Sequence, residues 1–160
     1  MAVAADIMTR DVVAIPPETP VREVAQMLGS QRFGSVPVVD EHRHVLGVVS
    51  EEDLVLRLAR LHLPRHITFL GGIIYLENPH RFTEEAEKIL AVTAREIMET
   101  EAPFVRSDTP VEVVASRLLN DDLRRLLVLD EQDRLIGIIT RADIVRMQVT
   151  EGSLPENRAI

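Results

Sequence analysis

Two stretches of the chain pair a hydroxyl with a carboxylate three residues on: Gly47-Val48-Val49-Ser50-Glu51-Glu52-Asp53 and Gly137-Ile138-Ile139-Thr140-Arg141-Ala142-Asp143. Ser or Thr at a helix start stands where N–H groups lack partners and the dipole is positive, which suits a phosphate. A carboxylate one turn later can accept two hydrogen bonds from a sugar diol. The glycine three residues before the hydroxyl permits close backbone approach. The same spacing has a plainer use: Ser-x-x-Asp is a capping pair in which Asp replaces the usual Glu or Gln. Spacing alone leaves both readings open. The repeated glycine at one fixed distance weighs against an ordinary cap.

Little else has the spacing for chemistry. There is no cysteine, which excludes disulfides, thiol catalysis and cysteine-based zinc sites. His62 and His66 have i, i+4 spacing, but Pro64 between them breaks a helix. His80, His42 and His44 read as surface or insert residues, and Met8, Met27 and Met98 as core. No nucleophile–base order, Walker loop or carboxylate pair stands out, so no catalytic residue, no metal and no enzymatic activity are expected. The 160 residues carry 18 Lys and Arg against 26 Asp and Glu, a net charge of −8. That balance is a poor match for a general nucleic-acid binder. The longest apolar stretch, Ile67 to Leu76, is too short to cross a bilayer. Met1 to Arg10 carries Asp6 and lacks the pattern of a signal peptide, so a cytoplasmic location is expected. Aromatic residues make up 3%, so the core must be aliphatic. Lys88 is the only lysine. Arginine therefore supplies nearly all the positive charge, through composition bias or as forked donors for phosphates.

The elements that must position the two hydroxyl–carboxylate pairs are themselves repeated. Residues 6–55 align on 96–145 at a constant shift of 90, without a gap and with 14 identities in 50 pairs. Each copy reads β-α-β-β-α. A short extended piece (Val12 to Ile15; Pro103 to Val105) precedes a helix begun by Thr19-Pro20 or Thr109-Pro110, with Thr as cap and Pro at the first helical position. Val21, Val24, Ala25 and Leu28, like Val111, Val114, Ala115 and Leu118, give that helix one apolar face. Two apolar runs joined by Asp40–His44 or Asp130–Arg134 predict a hairpin buried on both faces. A second helix starts at Ser50 or Thr140. In the first copy it runs on through Leu61 and Leu63 until Pro64. Of the insert, Ile67–Leu70 and Ile73–Leu76 around Gly71-Gly72 fit a hairpin, a broken helix or an apolar flap alike, and Thr83 caps a helix bearing Glu84, Glu85 and Glu87. The divisions are 1–63, first repeat; 64–93, insert; 94–150, second repeat; 151–160, a frayed tail.

The duplicated unit resembles the CBS domain, found in tandem pairs called Bateman modules. The resemblance rests on Asp6-Ile7-Met8-Thr9, Val36-Pro37-Val38-Val39-Asp40 and Gly47-Val48-Val49-Ser50-x-x-Asp53-Leu54. It rests also on their counterparts Glu96-Ile97-Met98, Leu126-Leu127-Val128-Leu129-Asp130 and Gly137-Ile138-Ile139-Thr140-x-x-Asp143-Ile144. It implies an α+β fold of two repeats about a pseudo-twofold axis. It also implies an adenosine-type ligand (AMP, ADP, ATP or S-adenosylmethionine) in clefts between the repeats, held for regulation rather than catalysis. By the resemblance one cleft joins Thr140 and Asp143 to Val13, Gly34 and Ser35, and the other joins Ser50 and Asp53 to Pro103, Arg124 and Arg125. Leu127 stands where the motif has proline, Pro103 lacks the N–H that Val13 offers, and two arginines replace two small residues. The first cleft is expected to be the cleaner nucleoside site and the second phosphate-rich or empty. In the plainer alternative Arg124 and Arg125 are solvated or pair with Asp121 and Asp122. A homodimer, with the insert covering an edge or joining the interface, and an unidentified protein effector complete the expectation. A ligand-free structural or interaction module is the rival. A nucleotide-hydrolysing enzyme is the less favoured one, tested by phosphate release.

Overall fold

A computed structural model describes residues 1–31, 34–59, 66–70, 72–75 and 79–150. In chain order these form α1 (Ala4–Ile7), α2 (Val21–Gln31), β1 (Ser35–Val39), β2 (Val45–Ser50), α3 (Glu51–Ala59), β3 (His66–Phe69) and β4 (Gly72–Tyr75). They continue with α4 (Pro79–Leu90), α5 (Ala94–Ile97), β5 (Phe104–Arg106), α6 (Val111–Asn120), β6 (Arg125–Leu129), β7 (Leu135–Thr140) and α7 (Arg141–Thr150). The fold is α+β, with the expected β-α-β-β-α order complete in the second repeat. The helix run through Leu61 and Leu63, the Pro64 stop, His62 and the 151–160 tail lie outside the described residues.

The chain divides into two compact units, and neither is one contiguous repeat. One contains Ala14–Asp40 and Leu46–Thr100; the other contains Met1–Val13, Glu41–Val45 and Glu101–Ile160. In the first, the amide of Ala94 donates to the Thr19 carbonyl at 2.8 Å, and Val48 and Glu99 exchange two backbone bonds of 2.9 Å. In the second, Ala4 donates to the Thr109 carbonyl at 2.8 Å, and Thr9 and Ile138 exchange bonds of 2.9 and 3.0 Å. Each set maps on the other by the 90-residue shift. The short lead-in helix of each repeat thus folds onto the other repeat's strands. An acid closes each lead-in helix: Asp6 accepts from the Val3 amide at 2.9 Å and Glu96 from the Thr93 amide at 2.7 Å.

The cores are aliphatic, as the composition requires. In the first-repeat unit Val21, Val24 and Leu28 of α2 pack with Val36, Val38 and Val49 of the sheet. In the second, Val114 and Leu118 of α6 pack with Leu126, Val128 and Ile139, joined by Ala4 and Met8 of the lead-in. Burying one such side chain stabilises by about 1.5–3 kcal/mol.

Three local expectations are corrected. The prolines are not the first helical residues. Pro110 is itself the N-cap, and Thr109 uses its hydroxyl to accept from the Arg106 amide at 3.0 Å. Thr83 lies inside α4, because Pro79 begins that helix four residues earlier. The first repeat's leading extended piece is a single parallel bridge, Ile15 to Val38, whereas β5 pairs with β6 over three residues. Leu127 donates its amide to the Pro103 carbonyl at 3.1 Å. Pro37, its counterpart, has no N–H, so that ladder cannot extend. The insert's apolar run is a hairpin, with β3 antiparallel to β4 and Leu70 at its tip (φ 48°).

Candidate ligand site

Both hydroxyl–carboxylate pairs lie at the junction of a strand and a helix, where β2 runs into α3 and β7 into α7. In the first-repeat unit, one oxygen of Asp53, Oδ2, accepts from the Ser50 amide at 2.9 Å and the Ser50 hydroxyl at 2.7 Å. The Asp53 amide donates back to Ser50 Oγ at 3.1 Å. In the second-repeat unit, Asp143 Oδ2 accepts from the Thr140 amide and hydroxyl, both at 2.8 Å. The first is a reciprocal helix start, and in both units the bonds to Oδ2 fix the carboxylate. These bonds consume one oxygen of each.

The other oxygens differ. Among the described residues, Oδ1 of Asp53 takes no further hydrogen bond. Oδ1 of Asp143, a residue 5% exposed, meets the Arg146 guanidinium at 3.2 Å. The position equivalent to Arg146 in the first repeat is Leu56. Arg146 was not among the sequence-based candidates; its signal was an arginine one turn beyond the signature acid.

The glycines serve a different purpose from the one expected. A Cβ on Gly137 would stand 2.8 Å from Met8 Cγ, and closer still to its sulfur. On Gly47 it would stand 2.6 Å from the Glu99 carbonyl oxygen and 2.9 Å from Met98. What approaches each glycine is the lead-in segment of the same unit, so the space opened by the missing side chain is filled by protein. Met8 and Met98 are packed residues, as their apolar setting suggested.

The remaining candidates divide by unit. Gly34 precedes β1 and Ser35 begins it; β1 pairs with β2, and the Gly34 carbonyl accepts from the Glu51 amide at 3.0 Å beside Ser50. Ser35 is buried. Val13 is 41% exposed and belongs to the second-repeat unit, as does Pro103 before β5. Arg124 is exposed and precedes β6; Arg125 is half-buried and stands directly across the ladder from Thr140. The structure therefore brings Arg125 to Thr140 within one unit. The grouping of Arg124 and Arg125 with Ser50 and Asp53 is not one that either unit contains by itself. Asp121 pairs with Arg117 at 3.6 Å and Asp122 with Arg141 at 3.0 Å. His42 and His44 meet edge to face, their rings 6.1 Å apart. Among the described residues no cluster of three His, Asp or Glu is placed to hold a metal, and no helix is long and apolar enough to cross a membrane.

The family profile of the CBS domain matches residues 3–60 and 94–149. A CBS domain-containing protein of Arabidopsis thaliana chloroplasts, CBSX1, is 31% identical over 147 residues, 88% of this chain; the chain spans 61% of that protein's length. Among solved structures, CBSX2 of the same plant in complex with AMP superposes with a TM-score of 0.72 at 25% identity, covering 95% of this chain and 99% of that one. The cytosolic domain of the Mg2+ channel MgtE in complex with ATP gives a TM-score of 0.64 at 26% identity, covering 91% of this chain and 48% of that one.

Proposed function

Because the chain belongs to the CBS domain family, we propose that it is a regulatory, non-enzymatic module that binds adenosine-type ligands: AMP, ADP, ATP or S-adenosylmethionine. In this reading Ser50 with Asp53, and Thr140 with Asp143, hold the sugar and the anion. Val13, Gly34, Ser35, Pro103, Arg124 and Arg125 line the walls that face the base and phosphates. The repeats keep the divisions 1–63 and 94–150, with 64–93 as the insert. The observation that carries the reading is the pair of fixed carboxylates. Each is locked by one oxygen against a helix start, so the carboxylate has little entropy left to lose on meeting a ribose diol; at Asp53 the other oxygen takes no further hydrogen bond among the described residues, and at Asp143 a diol would share it with Arg146. The AMP held by CBSX2 and the ATP held by the MgtE domain lend support. The signal follows if ligand favours one of two states of the chain over the other and a protein effector reads the difference. A homodimer in the cytoplasm is part of the proposal; exposed Val55, Leu56, Val145, Val149 and the hairpin's Leu70 and Ile73 supply apolar surface for it.

The test is calorimetry of the whole chain with AMP, ADP, ATP and S-adenosylmethionine, repeated on Asp53→Ala and Asp143→Ala. Binding that weakens selectively in these variants supports the reading. No heat with any ligand favours the rival, a ligand-free structural or interaction module. That rival draws on the same geometry, since each carboxylate already has work as a cap.

A further inference from the structure

The chain has five methionines and no cysteine, so thioethers are its sulfur groups open to oxidation. Two of them hold equivalent places 90 residues apart, Met8 against Gly137 and Met98 against Gly47. Met98 is the C-cap of α5, and its amide donates to the Ala94 carbonyl at 2.8 Å. Its Cγ and its sulfur each stand 2.9 Å from the place a Gly47 Cβ would take, and the Glu99 carbonyl oxygen stands 2.6 Å from the same place. The sulfur therefore lies in a notch beside a backbone acceptor, and that acceptor already takes the Val48 amide at 2.9 Å. The two equivalent methionines differ in access. Met8 is buried at 8% exposure, whereas Met98 is half-buried. Met1 is fully exposed and belongs to neither core; Met27 and Met147 are half-buried on α2 and α7.

We propose that Met98 is a site of reversible oxidation by peroxide, and that its sulfoxide releases the α5 lead-in from β2. A sulfur lone pair attacks one peroxide oxygen; the S–O bond forms as the O–O bond breaks, the sulfur gives up two electrons, and the other oxygen leaves as water. Two thiols of a sulfoxide reductase reverse the step, becoming a disulfide while the oxygen departs as water. The product turns a flexible apolar group into a polar one that only accepts hydrogen bonds. In the Gly47 notch its nearest backbone oxygen, that of Glu99, is an acceptor too, so the new oxygen gains no partner there and the close packing leaves it no room. The element that yields is the one beside it. Val48 and Glu99 exchange two bonds of 2.9 Å that tie the end of the lead-in to β2, and Val48 stands two residues before Ser50. Met8 holds the same place in the other unit but is shut off from solvent, so the device is one-sided: the Gly47 notch is the sensor and the Gly137 notch its protected copy. None of this depends on the adenosine reading.

The experiment is a hydrogen peroxide titration of the full chain, with sulfoxides mapped by peptide mass spectrometry and backbone protection followed by amide hydrogen exchange. The expected order is Met1 first and Met98 well before Met8. As Met98 sulfoxide accumulates, protection of the Val48 and Glu99 amides falls about tenfold, the scale of one acceptor left unpaired. The equivalent amides of Thr9 and Ile138 keep theirs. Treatment with sulfoxide reductases of both epimer specificities restores the loss. Met98→Leu, which conserves volume, keeps its protection through the same dose. The converse variant, Met8→Leu with Met27→Leu and Met147→Leu, leaves Met98 as the one internal methionine and shows the full loss, so the test stands even where Met98→Leu folds poorly. Oxidation of Met8 as fast as Met98, a Met98 sulfoxide that leaves Val48 and Glu99 protected, the same loss in a folded Met98→Leu, or no loss in the converse variant overturns the proposal. Each of these outcomes leaves the adenosine reading where it stood.

Discussion

Replacing Gly137 with alanine separates a packing glycine from a ligand-facing one. A glycine retained for ligand approach costs the ligand-free protein stability, because glycine in a strand is about 0.5–1 kcal/mol worse than alanine. Alanine there should then stabilise. The packing reading predicts the opposite sign. The new Cβ would lie 2.8 Å from Met8 Cγ and 3.0 Å from its Cβ, where carbon atoms prefer roughly 3.5–4.0 Å. Met8 is buried, at 8% exposure, and cannot simply swing into solvent. Overpacking of this kind costs about 1–3 kcal/mol. Gly47→Ala should cost more. Its nearest obstacle, at 2.6 Å, is the Glu99 backbone carbonyl, which accepts from the Val48 amide. Moving that carbonyl weakens a hydrogen bond as well. Urea unfolding followed by circular dichroism measures both variants. The decisive measurement is the double variant Met8→Ala with Gly137→Ala, where the added methyl occupies space that the truncation empties. Its destabilisation should fall short of the sum of the single variants by about 1 kcal/mol or more. A Gly137→Ala protein as stable as the parent, or strict additivity in the double, refutes the reasoning.

The remaining predictions concern the caps, the acid limb and the insert. Asp143→Ala should destabilise the ligand-free chain by about 1–3 kcal/mol, since it orphans the Thr140 amide. It should cost more than Asp53→Ala, which sits at a less buried helix start; equal melting curves for the two would count against this. Arg146→Leu should change stability by less than about 1 kcal/mol, its side chain being 71% exposed. Asp130 has its carboxyl held below the usual range, first by the backbone amide of Arg134 and also by that residue's guanidinium and the Gln132 amide. A depressed folded pKa gives stability that is present above the unfolded value and lost as pH falls through the folded one. Asp130→Asn should therefore flatten the acid limb of a stability–pH profile, and parallel profiles would contradict the assignment. Replacing residues 66–75 by a short Gly-Ser link should lower the dimer fraction in sedimentation velocity; an unchanged mass removes the hairpin from the interface.

The elements were legible in the sequence wherever two independent copies carried the same pattern. The apolar stripe on α2 and α6 and the paired strands appear in both, and each copy served as a check on the other. What was not legible is which piece of chain joins which sheet. A four-residue helix such as α1 has no periodicity to read, and its destination is set by Gly137, whose missing side chain makes room for Met8. The glycine looked like part of a ligand signature because a close backbone approach was needed there; the sequence does not say what approaches. Thr83 was misread for a related reason. Its run of following acids resembles a helix start, but Pro79 upstream fixes φ for helix and lies outside that local window.

The site was half legible, and the missing half has one physical cause. A carboxylate that caps a helix and a carboxylate that grips a ribose occupy the same place with the same spacing, and one oxygen can do the first task while the other does the second. Spacing therefore cannot distinguish cap from site, and neither can the geometry of Ser50 with Asp53 or Thr140 with Asp143. The discriminating information lies in the residues that the motif leaves unspecified. Glu51 and Glu52 fill the gap in one copy and Arg141 and Ala142 in the other, and a cap is indifferent to that exchange, since both sets are exposed and compatible with a helix. An incoming anion is not indifferent. If the two signatures were caps only, reversing those charges would alter stability by tenths of a kcal/mol and nothing else. If they are ligand sites, the same exchange moves affinity for phosphorylated ligands by about an order of magnitude per charge-assisted contact, which makes the charge between the conserved-spacing residues, rather than those residues themselves, the place where function can be read.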